Sequence, residues 1–72
     1  MYMITLDIIR KRLIEAIRLS GIPQVELARR LNIKPPTLSQ YISGRAMPAL
    51  DTFANLCKLL DVDPAYILGV TD

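Results

Sequence analysis

Proline and glycine punctuate this chain so closely that only short elements fit between them. Gly21 and Pro23, the Pro35-Pro36 pair, Gly44, Pro48 and Pro64 divide the 72 residues into segments, and within those segments the apolar residues keep a helical period. Leu6, Ile9, Leu13, Ala16, Ile17 and Ser20 fall at steps that place them on one helical face, with Arg10, Lys11, Glu15 and Arg18 elsewhere on the wheel. The first helix is therefore expected from about Leu6 to Ser20. Gly21 can take the left-handed conformation that ends a helix, and Pro23 suits the start of the next, where a missing N–H breaks no bond. A short second helix, Gln24 to Leu31, turns Leu27, Ala28 and Leu31 inward. Asn32 tolerates the positive φ of a tight turn, and Ile33 returns to the core. Pro35 and Pro36 open a third helix that ends at Gly44, with Leu38 and Tyr41 buried and Pro36, Thr37, Gln40 and Ser43 outward. Pro48 is expected to open a fourth helix, with Leu50, Phe53, Leu56, Cys57 and Leu60 on its apolar face. Asp63 and Pro64 supply the cap and first position of a fifth, Ala65 to Leu68. No strand signal or repeat interrupts the series, so the fold class is all-α, with five helices.

Length sets the scale of what such a chain can do. A single domain spanning residues 1–72 is the expectation, and a chain this short buries only about 60% of its unfolded surface. Its composition, 51% hydrophobic with 22% charged, is that of a folded soluble chain. The longest uncharged run, Pro35 to Gly44, falls far short of the ~20 apolar residues that span a bilayer. Asp7, Arg10, Lys11 and Arg12 break up the N-terminal apolar stretch where a secretory signal needs an uncharged run, so a cytoplasmic location without membrane association is expected.

Chemistry is narrowed further by what the chain lacks. There is no histidine and one cysteine, Cys57, which removes an internal disulfide, a Cys/His zinc site and every histidine-based acid, base or triad arrangement. A binding protein, with no catalytic residue, metal or cofactor, is the expectation. Charge suggests the partner: residues 1–50 carry eight Lys/Arg against three Asp/Glu, while residues 51–72 carry one against four. Such polarity suits a protein that offers its N-terminal part to a polyanion and turns the other end away.

A short helix, a turn of three or four residues and a second short helix with a polar outer face form the helix-turn-helix layout, here over about residues 24–43. The residues themselves carry the likeness further. Gly21 to Ala28 with its Gln-x-x-Leu-Ala, Asn32-Ile33-Lys34, Thr37 to Tyr41, Gly44-Arg45, Pro48 and Leu50 to Val62 resemble the lambda-repressor-like helix-turn-helix family of Cro, phage repressors and XRE-type regulators. The resemblance covers nearly the whole chain. It implies a five-helix domain that binds double-stranded DNA, commonly as a homodimer on a pseudo-palindromic operator. Residue by residue, it implies that Gln24 hydrogen-bonds a DNA phosphate and braces the recognition helix, that Pro35, Pro36 and Gln40 occupy base-reading positions, and that Thr37, Ser43 and Arg45 hold the backbone. Gln40 has an amide able to pair with adenine N6 and N7, whereas Pro36 offers only apolar contact such as a thymine methyl.

Three departures from the family pattern stand out. The Pro-Pro pair takes positions where polar base-readers are common, which thins direct readout. Ile17 and Ile42 stand where many members carry an arginine and a glutamate, so an ion pair is replaced by aliphatic side chains, a change that is often neutral or stabilising. Asp61 replaces the more usual glycine. Other features have plainer readings. Arg29 and Arg30 suit a solvated outer face, the Arg10-Lys11-Arg12 run is more often solvent-facing than functional, and Cys57 suits packing rather than redox chemistry.

Tyr66, Ile67, Val70 and the N-terminal Tyr2, Met3 and Ile4 exceed what one small core absorbs, and contiguous surplus hydrophobe marks an interface. Ile67 and Val70 are accordingly assigned to a homodimer contact, with Tyr66 open to a second role as a cap on its own core. The reading is a DNA-binding transcriptional regulator of phage or mobile-element repressor type. Two alternatives stay open: an antitoxin-type regulator with a protein toxin as partner, and a protein-interaction module without DNA binding.

Overall fold

Five helices form among the described residues, and most of their ends carry a local signal in the sequence. The computed structural model describes residues 3–71. In order the helices are α1 Leu6–Leu19, α2 Gln24–Leu31, α3 Pro35–Ser43, α4 Leu50–Leu60 and α5 Pro64–Ile67, with no strand among the described residues. Thr5 caps α1, its hydroxyl oxygen accepting the Ile8 N–H at 3.3 Å, and Asp7 in the first turn and Arg18 in the last complement the helix dipole. Ser20 then closes α1: its hydroxyl donates to the Ile17 carbonyl at 2.7 Å and accepts the Ile22 N–H at 3.2 Å.

The turn between α2 and α3 works as the sequence implies. Asn32 takes φ 57°, ψ 43°, and the Ile33 N–H donates to the Ala28 carbonyl at 3.0 Å, so Ile33 folds back onto the core within a three-residue connection. Lys34 is extended, and Pro35 and Pro36 occupy the first two helical positions of α3, where no backbone donor is lost. Gly44 ends α3 at φ 82°. The positive φ favours glycine here, and a Cβ would lie 3.0 Å from Cδ of Arg10, so a larger residue would also have to push aside the α1 side chain that crosses it. The Nε of that arginine is buried without a hydrogen-bond partner among the described residues, and its Nη1 pairs with Asp7 at 3.1 Å.

The core draws on every helix. Leu13 and Ile17 come from α1, Leu27 and Ala28 from α2, Leu38 from α3, Phe53, Leu56, Cys57 and Leu60 from α4, and Ile67 from α5. Ile42 is half-buried and packs against this cluster, which contains Ile17. Tyr41 is half-buried against it as well.

Some expectations need correction. Pro48 stands ahead of α4 rather than opening it, because Ala49 is still extended and its carbonyl accepts the first helical N–H, from Phe53, at 2.8 Å. Leu50 and Leu6, each the first residue of its helix, are 85% and 54% exposed rather than inward, since a first-turn side chain points back past the end of the packed face. Helix α5 starts at Pro64 behind its Asp63 cap, as expected, and ends at Ile67, one residue short of Leu68. The largest correction concerns Ile67, assigned above to a homodimer contact: it is 1% exposed and sits among the fully buried side chains of its own core. Its surface is spent inside the monomer, so it is not available to a second chain. Val70 is 63% exposed. Tyr2 lies outside the described residues.

Candidate nucleic-acid interface

Helix α3 is pinned along one side by Leu38, which is wholly buried, and offers Pro35, Pro36, Ser39, Gln40 and Ser43 to solvent. Pro36, Gln40 and Ser43 are spaced to share a face of the helix. The side-chain amide of Gln40 makes no hydrogen bond among the described residues, leaving its donors and acceptor for an outside partner. Its backbone carbonyl is heavily used, accepting the Arg45 N–H at 3.0 Å and the Ala46 N–H at 3.3 Å, a closure that fixes the end of α3 beneath that amide.

The other expected DNA-facing residues differ in how free they are. Gln24 is exposed at the first position of α2, whose cap, Pro23, offers no side-chain acceptor to the first-turn N–H groups. Uncapped N–H groups at a helix start suit a phosphate oxygen. Thr37 is half-buried. Ser43 is exposed, but its hydroxyl donates to the Gln40 carbonyl at 3.2 Å, so its proton is committed inside the helix. Arg45 is exposed immediately beyond the left-handed Gly44 and takes part in no ion pair among the described residues. The proline pair has a further consequence. With no N–H at its first two positions, α3 cannot grip a phosphate by the backbone amides of those residues.

The nine Lys/Arg divide into two groups. Arg10 pairs with Asp7, and Arg29 and Arg30 both bind Glu26, their Nε atoms 3.0 and 2.7 Å from its carboxylate oxygens. Those two hydrogen bonds, Arg29's first, hold the Glu26 carboxyl down to about 2, which marks a self-contained charge cluster on the outer side of α2. Arg12 is also committed: its Nη1 donates to the Tyr66 carbonyl at 2.6 Å and its guanidinium stacks 4.4 Å from the centre of the Tyr66 ring. The reading of Arg12 as solvent-facing is therefore corrected. It ties α1 to α5 across 54 residues of sequence, a separation over which no local pattern signals a contact. Lys11, Arg18, Lys34, Arg45 and Lys58 keep no ion-pair partner among the described residues.

The family described as Helix-turn-helix matches residues 13–67, from the middle of α1 to the end of α5. The chain belongs to the helix-turn-helix family. It falls in the lambda-repressor-like branch, as the sequence resemblance implies, and is a helix-turn-helix DNA-binding domain. A relative, the 26 kDa repressor protein of Escherichia phage HK022, is 32% identical over 66 residues, covering 86% of this chain and 28% of the relative. The chain thus spans a little over a quarter of the length of the curated relative it matches. No solved structure matches it. No helix among the described residues is long and apolar enough to cross a membrane, and no group of acidic, cysteine or histidine side chains among them is placed to hold a metal ion.

Proposed function

We propose that this helix-turn-helix chain represses transcription by binding a specific pseudo-palindromic operator as a homodimer, in the manner of a phage or mobile-element regulator. The observation that carries the reading is the exposed face of α3, with the uncommitted amide of Gln40 at its centre, held rigid by the left-handed residues Asn32 and Gly44 at either end. Gln40 reads a base edge in the major groove, and Pro35 and Pro36 contribute shape and apolar contact to the same surface. Gln24 and Arg45 hold the phosphates on either side, with Thr37 in supporting contact; Ser43 joins them by turning its hydroxyl proton from the Gln40 carbonyl to a phosphate.

Buried Ile67 moves the proposed dimer contact outward, to Val70 and the N-terminal arm. Met3 is 76% and Val70 63% exposed. Ile4 lies against the turn that precedes Val70, its Cγ2 3.5 Å from where a Cβ on Gly69 would stand, so arm and C-terminal turn form one apolar surface. A contiguous patch of this kind is what a symmetric partner covers.

The test is duplex selection from a random library followed by binding assays with two variants. Gln40→Ala is expected to relax preference at one base pair, with about 1–3 kcal/mol of discrimination lost there. Arg45→Ala is expected to weaken selected and unselected duplexes alike. If Gln40→Ala instead weakens every duplex equally, base reading does not rest on this residue. A chain that selects no duplex at all supports the protein-interaction reading.

A further inference from the structure

Four of the five uncommitted cations border the recognition helix. Lys34 caps its start, Arg45 follows its end, and Lys11 and Arg18 line a surface groove of about 600 Å³ between α1 and the last turn of α3. Its other walls are Ile14, Glu15, Ile42 and Ser43. We infer that this groove is a second DNA-backbone site, in which Lys11 and Arg18 each neutralise a phosphate beside the major groove entered by α3. The inference rests on the DNA-binding reading above and extends it to residues of α1.

Lys11 and Arg18 are two helical turns apart on one stripe of α1, which separates their stems by about 10 Å along the axis, enough for two phosphates rather than one. Both are exposed and neither is held by a carboxylate among the described residues, in contrast to Arg10, Arg29 and Arg30. Ile14 lies between them and Ile42 faces them across the groove. Apolar surface beside a charge lowers the local dielectric and strengthens its pull on a phosphate. Glu15 is the single carboxylate lining the groove and leaves the excess positive. The Ser43 hydroxyl on the facing wall already donates to the Gln40 carbonyl, so within the groove the donors free for a phosphate are those of Lys11 and Arg18.

The test measures affinity of the full chain for a labelled duplex of mixed sequence by fluorescence anisotropy as salt is raised. Each phosphate neutralised contributes about 0.9 to the slope of log affinity against log salt, so Lys11→Gln with Arg18→Gln should flatten the slope by roughly two, and each single variant by roughly half as much. Lys58→Gln, which removes the fifth uncommitted cation from α4 outside the groove, should leave the slope unchanged. Thermal melting of the variants, followed by circular dichroism, should match the parent because both side chains are exposed. An unchanged slope in the double variant overturns the inference while leaving the DNA-binding reading intact. So does an equal flattening by Lys58→Gln, which would make the effect one of net charge. A parent chain that holds no duplex at low salt overturns both.

Discussion

Asp61 shows how a single backbone angle connects sequence to stability. It ends α4 at φ 55°, ψ 47°, the left-handed region, at the position where the family resemblance implies glycine as the more usual residue. A Cβ in that region costs up to about 1–2 kcal/mol, reduced for Asp and Asn by local hydrogen bonding. Asp61→Gly is therefore expected to stabilise the fold by about 0.5–1 kcal/mol, offset in part by the freedom glycine gains in the unfolded chain. Urea unfolding would check it, and a variant that unfolds earlier than the parent would show that the aspartate makes a compensating contact. The same angle is required at Gly44, where the Arg10 side chain adds a steric demand, so no comparable gain is open there. Cys57 illustrates the opposite limit, a residue whose environment removes its chemistry. Burial, with a smaller contribution from Asp63, pushes its thiol up, which leaves it a packing residue.

At the level of helices, the joint between α1 and α3 is where altered chemistry is most informative. Ile17 is buried and Ile42 packs against the same cluster, at two positions where the family resemblance implies opposite charges in many members. Either Ile17→Arg or Ile42→Glu alone places an unpaired charge in or against an apolar site and should destabilise by about 3 kcal/mol or more. Together they should recover part of that loss. A double-mutant cycle by chemical denaturation measures the recovery, and strict additivity would show that the two side chains do not meet. Helix identity and order were legible because most boundaries carry a local signal, as the Asn32 turn and the Gly44 stop demonstrate. What local signals do not encode is which end of an apolar stripe clears the core. Leu6 and Leu50 follow the helical period yet point past the packed face, and Arg12 meets Tyr66 through a fold-level contact that no spacing announces. The exposed face of α3 was readable from period alone. The groove formed by Lys11 and Arg18 was not, because it needs the packing angle of α1 against α3.

For the whole molecule the limiting quantity is charge: a net +2 neutralises few phosphates, so one domain should hold DNA weakly at physiological salt. Two joined domains bind two half-sites at once and gain through effective concentration what each lacks. A two-fold pair must space its recognition helices about 34 Å apart, one turn of B-DNA, which ties the geometry of the interface to the operator. The burial of Ile67 makes the location of that interface testable with two substitutions that differ only in depth. Ile67→Asp places a charge inside a core position that is 1% exposed and should unfold the chain, seen as lost helicity by circular dichroism. Val70→Asp, at a position 63% exposed, should keep parent helicity. It should nevertheless shift the sedimentation profile to the monomer and weaken operator binding by at least tenfold, because a charge on the apolar surface shared with Met3 and Ile4 must be desolvated when a second copy covers it. Parent sedimentation and full operator affinity in Val70→Asp would exclude this face and direct attention to the other exposed apolar side chains, of which Leu50, 85% exposed at the start of α4, and Leu19, 77% exposed at the end of α1, stand out most.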